Sequence, residues 1–222
     1  MRITRIETQK KRPGRKTIFA DGKFIAGVSD ETLLRLGLRT GDDLSPETVK
    51  ALQRTEELWS ARNAALRLIS YRPRTERELR DRLREKEYPD TDIVATIEDL
   101  KRSGLVNDAE FARTYLRDAL ALRPKGKLAL KRKLLLLGLD KSIVEESLQE
   151  VFSEVNQEEA AYEAAERFLR KSGGKKRGEE PAALRNRLAN YLARQGYGWD
   201  TIRPVLRKAL DIRTDENEQS DL

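Results

Sequence analysis

The stretch from Tyr71 to Val151 repeats itself, and this repetition is the feature that most constrains the fold. Tyr71-Arg72-Pro73-Arg74 aligns with Leu122-Arg123-Pro124-Lys125 at an offset of 51 residues, and a third copy follows at an offset of 109 from the first. Six apolar positions recur in every copy: Leu79, Leu83, Tyr88, Ile93, Ile97 and Leu100; Leu130, Leu134, Leu139, Val144, Leu148 and Val151; and Leu188, Leu192, Tyr197, Ile202, Leu206 and Ala209. Repetition of this kind is typical of helical repeat arrays.

The spacing inside each copy shows what the repeating unit is. Leu79 and Leu83 are one helical turn apart, as are Ile93 and Ile97, so each pair lies on one face of a helix. Turn residues such as Pro89 separate the two pairs, and another helical stretch precedes each copy. We therefore predict a mainly α protein, an elongated array of three tandem three-helix repeats in which each repeat contacts only its neighbours.

The N-terminal stretch has a different pattern. Two β-prone runs flank Asp21-Gly22, a dipeptide typical of a tight hairpin turn. Ile3–Gln9 adds a third predicted strand, and the residues 10–16 are predicted to form a basic loop. A short helix that ends at Gly37 completes a small α+β cap, predicted for residues 1–44.

Helix start and stop signals divide the rest of the chain into segments. Ser45-Pro46-Glu47 predicts the start of a long helix that Pro73 ends. Thr75-Glu76-Arg77-Glu78 and Asn107-Asp108-Ala109-Glu110 have the pattern of capping boxes. The predicted parts are a bridging helix with repeat 1 (45–106), repeat 2 (107–157), repeat 3 (158–212) and a disordered acidic tail (213–222).

Composition excludes several classes of function. The chain has neither cysteine nor histidine, which removes disulfides, thiol chemistry and the commonest general base and metal ligand. No phosphate-binding glycine motif is present, and the carboxylates alternate with arginines as on ion-paired helix faces. We therefore expect a non-enzymatic protein without a metal or cofactor. The absence of a long apolar run or a signal peptide predicts a cytoplasmic protein, which we expect to be a monomer that does not enter a membrane.

Charge is distributed unevenly along the chain. The formal net charge is +7, and the segment 212–222 carries −3, which leaves +10 on the rest. No acidic residue occurs from Ala119 to Leu139, a segment rich in lysine and arginine. A basic body favours contact with DNA or an acidic protein surface, and the alternative is a solvated face that only keeps the protein soluble.

The predicted binding face collects basic residues near the second helix of each repeat. Leu130 and Leu134 define the buried side of that helix in repeat 2, so Lys127 and Lys131 are expected to flank it and reach the partner. Tyr71, Tyr115 and Tyr191 recur at apolar positions and are predicted to be core residues. The complete predicted face is Arg72, Arg74, Arg77, Arg123, Lys125, Lys127, Lys131, Arg132, Lys133, Lys175, Lys176 and Arg177.

Several of these segments resemble the RecX regulatory proteins. Arg74-Thr75-Glu76-Arg77-Glu78-Leu79 is similar to that family's Arg-Ser-x-x-Glu-Leu stretch, and the residues 104–112, Gly-Leu-Val-Asn-Asp-Ala-Glu-Phe-Ala, resemble its Gly-Leu-Ile-Asp-Asp-x-x-Phe-Ala pattern. The likeness continues at Lys125-Gly126, at Leu134 to Gly138-Leu139, and at Arg194-Gln195-Gly196-Tyr197. Glu87 departs from the pattern, because the family usually has glycine there.

The resemblance implies a protein that binds the filament of the RecA recombinase on DNA and takes part in recombination, DNA repair and the SOS response. It would modulate, and mostly inhibit, ATP hydrolysis, strand exchange and filament extension, with weaker, non-specific contacts to single- or double-stranded DNA. Two alternatives stay open on the residues alone. One is a basic DNA-binding protein that acts without RecA, and the other is a helical adaptor with no nucleic-acid role.

Overall fold

A computed structural model describes residues 1–122, 125–171 and 180–219, with side chains as far as residue 210. Its elements, in chain order, are β1 (Ile3–Gln9), β2 (Arg12–Ala20), β3 (Lys23–Ser29), α1 (Asp30–Leu36), α2 (Pro46–Tyr71), α3 (Glu76–Arg84), α4 (Asp90–Arg102), α5 (Asp108–Leu122), α6 (Lys127–Leu136), α7 (Lys141–Phe152), α8 (Gln157–Lys171), α9 (Pro181–Arg194) and α10 (Trp199–Gln219). Residue contacts divide the chain into two units: Met1–Arg74 with Glu78–Val106, and Thr75–Arg77 with Asn107–Leu222.

The N-terminal cap contains the predicted three-stranded antiparallel sheet, in the order β1-β2-β3. Asp21 and Gly22 have φ angles of 48° and 77°, the left-handed pair that a tight hairpin turn requires. The predicted basic loop was wrong in extent, because β2 already begins at Arg12. The register against β1 jumps from Lys16 to Arg12, so Pro13 lies in a bulge where its missing N–H breaks no ladder bond.

A half-buried ion pair attaches the cap to the long helix α2. Arg15 contacts the Glu56 carboxylate at 2.7 Å, and its guanidinium also donates to the Gly27 carbonyl at 2.8 Å. Glu56 accepts in addition from the amide of Ser29 and the hydroxyl of Thr32. One carboxylate thus connects α2 to the sheet and to the start of α1.

The three-helix repeats are confirmed by the positions of their apolar residues. Each repeat has its own core, and of the eighteen aligned residues all are buried except Tyr88, which is partly buried. The first helices agree as well, with Ala61, Ala112 and Ala161 fully buried at matching positions. The prediction for Tyr71 was wrong: this last residue of α2 is 85% exposed, whereas Tyr115 and Tyr191 pack against their cores.

The second helix of every repeat ends in the same turn. Glu87, Gly138 and Gly196 occupy equivalent positions with φ angles of 62°, 84° and 91°. The next residue, Tyr88, Leu139 or Tyr197, donates its amide to the carbonyl five positions earlier, at 3.2–3.3 Å. This is the Schellman arrangement, in which a left-handed residue satisfies the last carbonyls of a helix.

In the second unit this turn is packed against the start of another helix, and the contact occurs twice at equivalent positions. The Thr75 hydroxyl donates to the Leu137 carbonyl at 2.9 Å, and a Cβ on Gly138 would lie 2.0 Å from Cδ of Arg77. Fifty-one residues further along, the amide of Gly126 donates to the Gln195 carbonyl at 3.0 Å.

The second of these junctions is the tighter one. The amide of Leu128 donates to the Gly196 carbonyl at 3.0 Å, so that α6 begins on the turn that follows α9. A Cβ on Gly126 would lie 2.1 Å from the carbonyl carbon of Gly196, and a Cβ on Gly196 would lie 2.3 Å from the Ala129 amide nitrogen. Both glycines are therefore required by backbone-to-backbone contact, and Gly196 is required by its φ angle as well.

The last helix is longer than the sequence indicates. Residues 213–219 are helical in backbone, although a disordered tail was predicted from residue 213. Glutamate and arginine are good helix formers, and extension of an existing helix avoids the cost of nucleation. Residues 220–222 lie outside the described part of the chain.

Two glycine-to-alanine substitutions should separate backbone strain from lack of space. Gly104 has a φ of 70° and open space around its Cα, so Gly104→Ala should cost about 1 kcal/mol from strain alone. Gly196→Ala adds a collision with backbone atoms and should cost about 2–4 kcal/mol. Chemical denaturation of both variants measures the difference. Equal losses would show that the junction yields to an added methyl group.

Candidate partner-binding surface

Helix α6 contains four of the eight described residues of the predicted binding face: Lys127, Lys131, Arg132 and Lys133. Its first turn has no side-chain cap, because the N-cap residue is Gly126, and the amide of Leu128 is instead satisfied by Gly196. The helix N-terminus is thus occupied by protein backbone. A partner of α6 is therefore expected to contact mainly its side chains.

The outward face of α6 combines leucine with arginine. Leu130 and Leu134 are buried, as predicted, and the residues on the opposite side follow a spacing of three and four. Leu128, Leu135 and Leu136 are 52%, 38% and 74% exposed, and Arg132 lies among them on the same face. We call Leu128, Arg132, Leu135 and Leu136 the α6 outer face. Exposed leucines clustered around one cation are typical of a surface that binds protein.

The cations of this segment differ in their availability. Lys125, Arg132 and Lys133 are exposed, and within the described residues no ion pair involves them. Lys127 and Lys131 are half-buried, and Lys131 forms an ion pair with Glu145 of α7. The segment without acidic residues therefore receives a carboxylate from the following helix.

Electrostatics at this ion pair are consistent with its geometry. The hydrogen bond from Lys131 lowers the pKa of Glu145 below its usual range, and the positive charges of Lys141 and Lys127 act in the same direction. The carboxylate thus stays ionised in mild acid and neutralises part of the cluster. Of the two lysines expected to reach a partner, Lys131 is already engaged.

The predicted arginines of the first repeat have mostly structural contacts. Arg74 is 10% exposed at its side chain, pairs with Glu78 and donates to the Leu68 carbonyl at 3.0 Å. Arg72 donates to the other oxygen of Glu78 at 2.9 Å. These contacts hold the turn between α2 and α3 in the first unit. Arg77, in the second unit, is exposed and lies against Gly138.

Four residues of the predicted face, Arg123, Lys175, Lys176 and Arg177, lie outside the described residues. The third basic cluster therefore lies entirely outside the described residues, and a single face that joins the three clusters stays a prediction. What sequence reasoning missed is the apolar part of the surface. Its signal was the run of four leucines, residues 134–137, in a helix that can bury only one side.

Comparison with known proteins covers the whole chain. Residues 1–45 match the family model described as the regulatory protein RecX N-terminal domain, and residues 61–100, 107–148 and 157–206 match the first, second and third RecX three-helix domains. A regulatory protein RecX of Bacillus velezensis is 33% identical over 99% of this chain and 82% of its own length. The chain belongs to the RecX family.

Other RecX proteins extend this similarity. One from Clostridium beijerinckii is 28% identical over 97% of this chain and 99% of its own length. A crystal structure of regulatory protein RecX superimposes with a TM-score of 0.78 at 24% identity, over 92% of this chain and 98% of the other, which shows the shared fold. A RecX structure from Lactobacillus salivarius gives a TM-score of 0.63 at 25% identity, over 70% of this chain and 97% of the other.

The described residues of this RecX chain contain no cluster of carboxylates suited to hold a metal ion. None of their helices combines the length and apolar character needed to cross a membrane.

The Lys131–Glu145 pair predicts a specific titration. Because the folded pKa of Glu145 is depressed, the pair contributes stability above the usual carboxyl range and loses it as the pH falls through the folded pKa. In Lys131→Met the titration midpoint of Glu145, measured by NMR, should rise toward 4.5, its ordinary value. Lys133→Met removes an exposed lysine from the same helix and should leave the midpoint unchanged. If the titration midpoint of Glu145 were the same in both variants as in the unmodified protein, the pair would not form in solution.

Proposed function

We propose that this protein is a non-enzymatic regulator that binds the RecA–DNA filament in the cytoplasm. Its binding would modulate, and mostly inhibit, RecA ATP hydrolysis, strand exchange and filament extension. Membership of the RecX family supports the partner, since the family resemblance implies RecA. We expect a monomer with weaker, non-specific contacts to DNA.

The observation that carries the proposal is the composition of the α6 outer face. Leu136, at 74% exposure, and Leu128, at 52%, flank Arg132. DNA phosphates attract arginine but gain nothing from exposed leucine side chains, whereas protein interfaces combine an apolar centre with charged neighbours. This face therefore favours a protein partner over DNA alone, and we propose that it contacts RecA while Lys125 and Lys133 contribute electrostatic attraction.

Substitutions on this face should weaken regulation without weakening DNA binding. The double variant Leu128→Ala/Leu136→Ala should raise the concentration that half-inhibits RecA ATP hydrolysis on single-stranded DNA by about tenfold or more, as expected for two central interface residues. Affinity for free DNA should not change, because leucine does not bind phosphate. The matched control is Leu34→Ala/Leu105→Ala, which removes two exposed leucines of the first unit and should inhibit normally.

The same assay separates the competing functions. A DNA-binding protein acting without RecA would inhibit only in amounts that cover the DNA, and both double variants would behave like the unmodified protein. A helical adaptor with no nucleic-acid role would not inhibit at any concentration. Either result would contradict the proposal.

A further inference from the structure

The first unit contains a groove lined by arginines and aromatic rings. It lies between the β1–β2 end of the sheet and helix α2 and has a volume of about 510 Å³. Its lining includes Arg12, Arg15, Trp59, Asn63, Arg67 and Tyr88. No carboxylate belongs to this lining. The surface is thus electropositive in a protein where acidic and basic residues usually alternate.

Two of the three arginines are available to a ligand. Arg15 is held by Glu56 behind the groove, and its guanidinium lies over the Trp59 ring, 5.2 Å from the centroid. Arg12 and Arg67 are exposed, and no hydrogen bond or ion pair of either side chain occurs within the described residues. Unpaired guanidinium groups in a concave surface attract anions, and phosphate in particular.

The positive charge of the groove continues along helix α2 beyond the groove itself. The second half of the helix, Leu58–Tyr71, contains no aspartate or glutamate. Lys10 and Lys11 form the exposed turn just before Arg12. The groove therefore continues a basic strip that runs from the hairpin turn onto the helix.

Aromatic and amide groups occupy the same helix stripe. Trp59, Asn63, Arg67 and Tyr71 follow one another at intervals of four residues, so they lie along one side of α2. Tyr71 is 85% exposed, so its ring faces solvent. Tyr88, in contrast, is fixed by a hydrogen bond between its hydroxyl and that of Ser60 at 3.1 Å. Alternating cations and aromatic rings suit a strand whose phosphates and unstacked bases are bound together.

We propose that this groove, together with Tyr71 about one turn beyond Arg67 on α2, binds single-stranded nucleic acid. Arg12 and Arg67 contact backbone phosphates, Tyr71 stacks on a base, and the Asn63 amide is placed to hydrogen-bond to a base edge. An acidic peptide would use the arginines but leave the exposed ring and the amide without a role. The site is separate from the α6 outer face and does not depend on RecA as the partner.

The experiment uses Trp59 as a reporter inside the groove. The protein has a second tryptophan, Trp199, so all proteins carry Trp199→Phe and only Trp59 emits. Titration with a single-stranded oligonucleotide, in the absence of RecA, should change the Trp59 emission. Fluorescence anisotropy of the labelled oligonucleotide over a range of salt concentrations then gives affinity and the salt dependence of binding.

Substitutions identify the contacts. Arg12→Glu/Arg67→Glu should abolish the change in Trp59 emission and lower the log–log salt slope by about 1.4, since each phosphate contact contributes about 0.7 on single strands. Tyr71→Ala removes an exposed ring and should weaken binding at least about fivefold with little effect on stability. Arg39→Glu/Lys50→Glu makes the same change of charge on exposed first-unit residues outside the groove lining and should bind normally.

Three outcomes would overturn the proposal. In the first, Arg12→Glu/Arg67→Glu keeps the salt slope and the Trp59 response of the control. In the second, a polyglutamate peptide of equal charge changes Trp59 emission as strongly as the oligonucleotide, which would assign the groove to an acidic protein segment. In the third, the duplex form binds as tightly as the single strand and Tyr71→Ala has no effect. Should the charge-reversed protein melt early, Arg12→Gln/Arg67→Gln provides the same comparison without repulsion.

Discussion

The backbone contact between Gly126 and Gly196 determines how the start of α6 meets the end of α9 in the second unit. Neither residue has room for a Cβ, so the start of α6 and the turn after α9 approach as closely as two backbones can. The contact also satisfies the amides of Gly126 and Leu128 at the start of α6, a helix that has no side-chain cap. Since the helix is fixed at its first turn, its rotation is fixed as well, and this decides which side chains face solvent. The exposure of Leu128 and Arg132 follows from that rotation.

Periodicity was sufficient to predict the repeats, because burial of an apolar stripe is a local property of each helix. Leu79, Leu130 and Leu188 are buried for the same reason, and the spacing of their neighbours fixes the helices around them. The hairpin and the start of α2 were also predictable, since Asp21-Gly22 and Ser45-Pro46 specify backbone conformation directly. These are features in which one short segment contains all the information.

The candidate site was less predictable because it depends on partners distant in sequence. Lys131 was expected to be available, yet Glu145 lies opposite it on another helix. Arg74 looked like a surface cation, yet its guanidinium is engaged at the end of α2. Tyr71 occupied an apolar position by alignment, but α2 ends there and no core residue covers its ring. In each case the sequence identified the type of side chain correctly. It did not show the tertiary contact, or the lack of one, that decides whether the side chain is available to a partner.

Glu87 has a consequence for how such an array can grow. It occupies the position of Gly138 and Gly196 and adopts the same left-handed conformation, but it carries a side chain. In the second unit that position must be bare to accept the start of another helix. If a gene duplication placed a further repeat before the first, the start of its second helix would collide with the Glu87 side chain. Extension at that side would require glycine in place of Glu87, so a single residue gives the array a direction in which it can be lengthened.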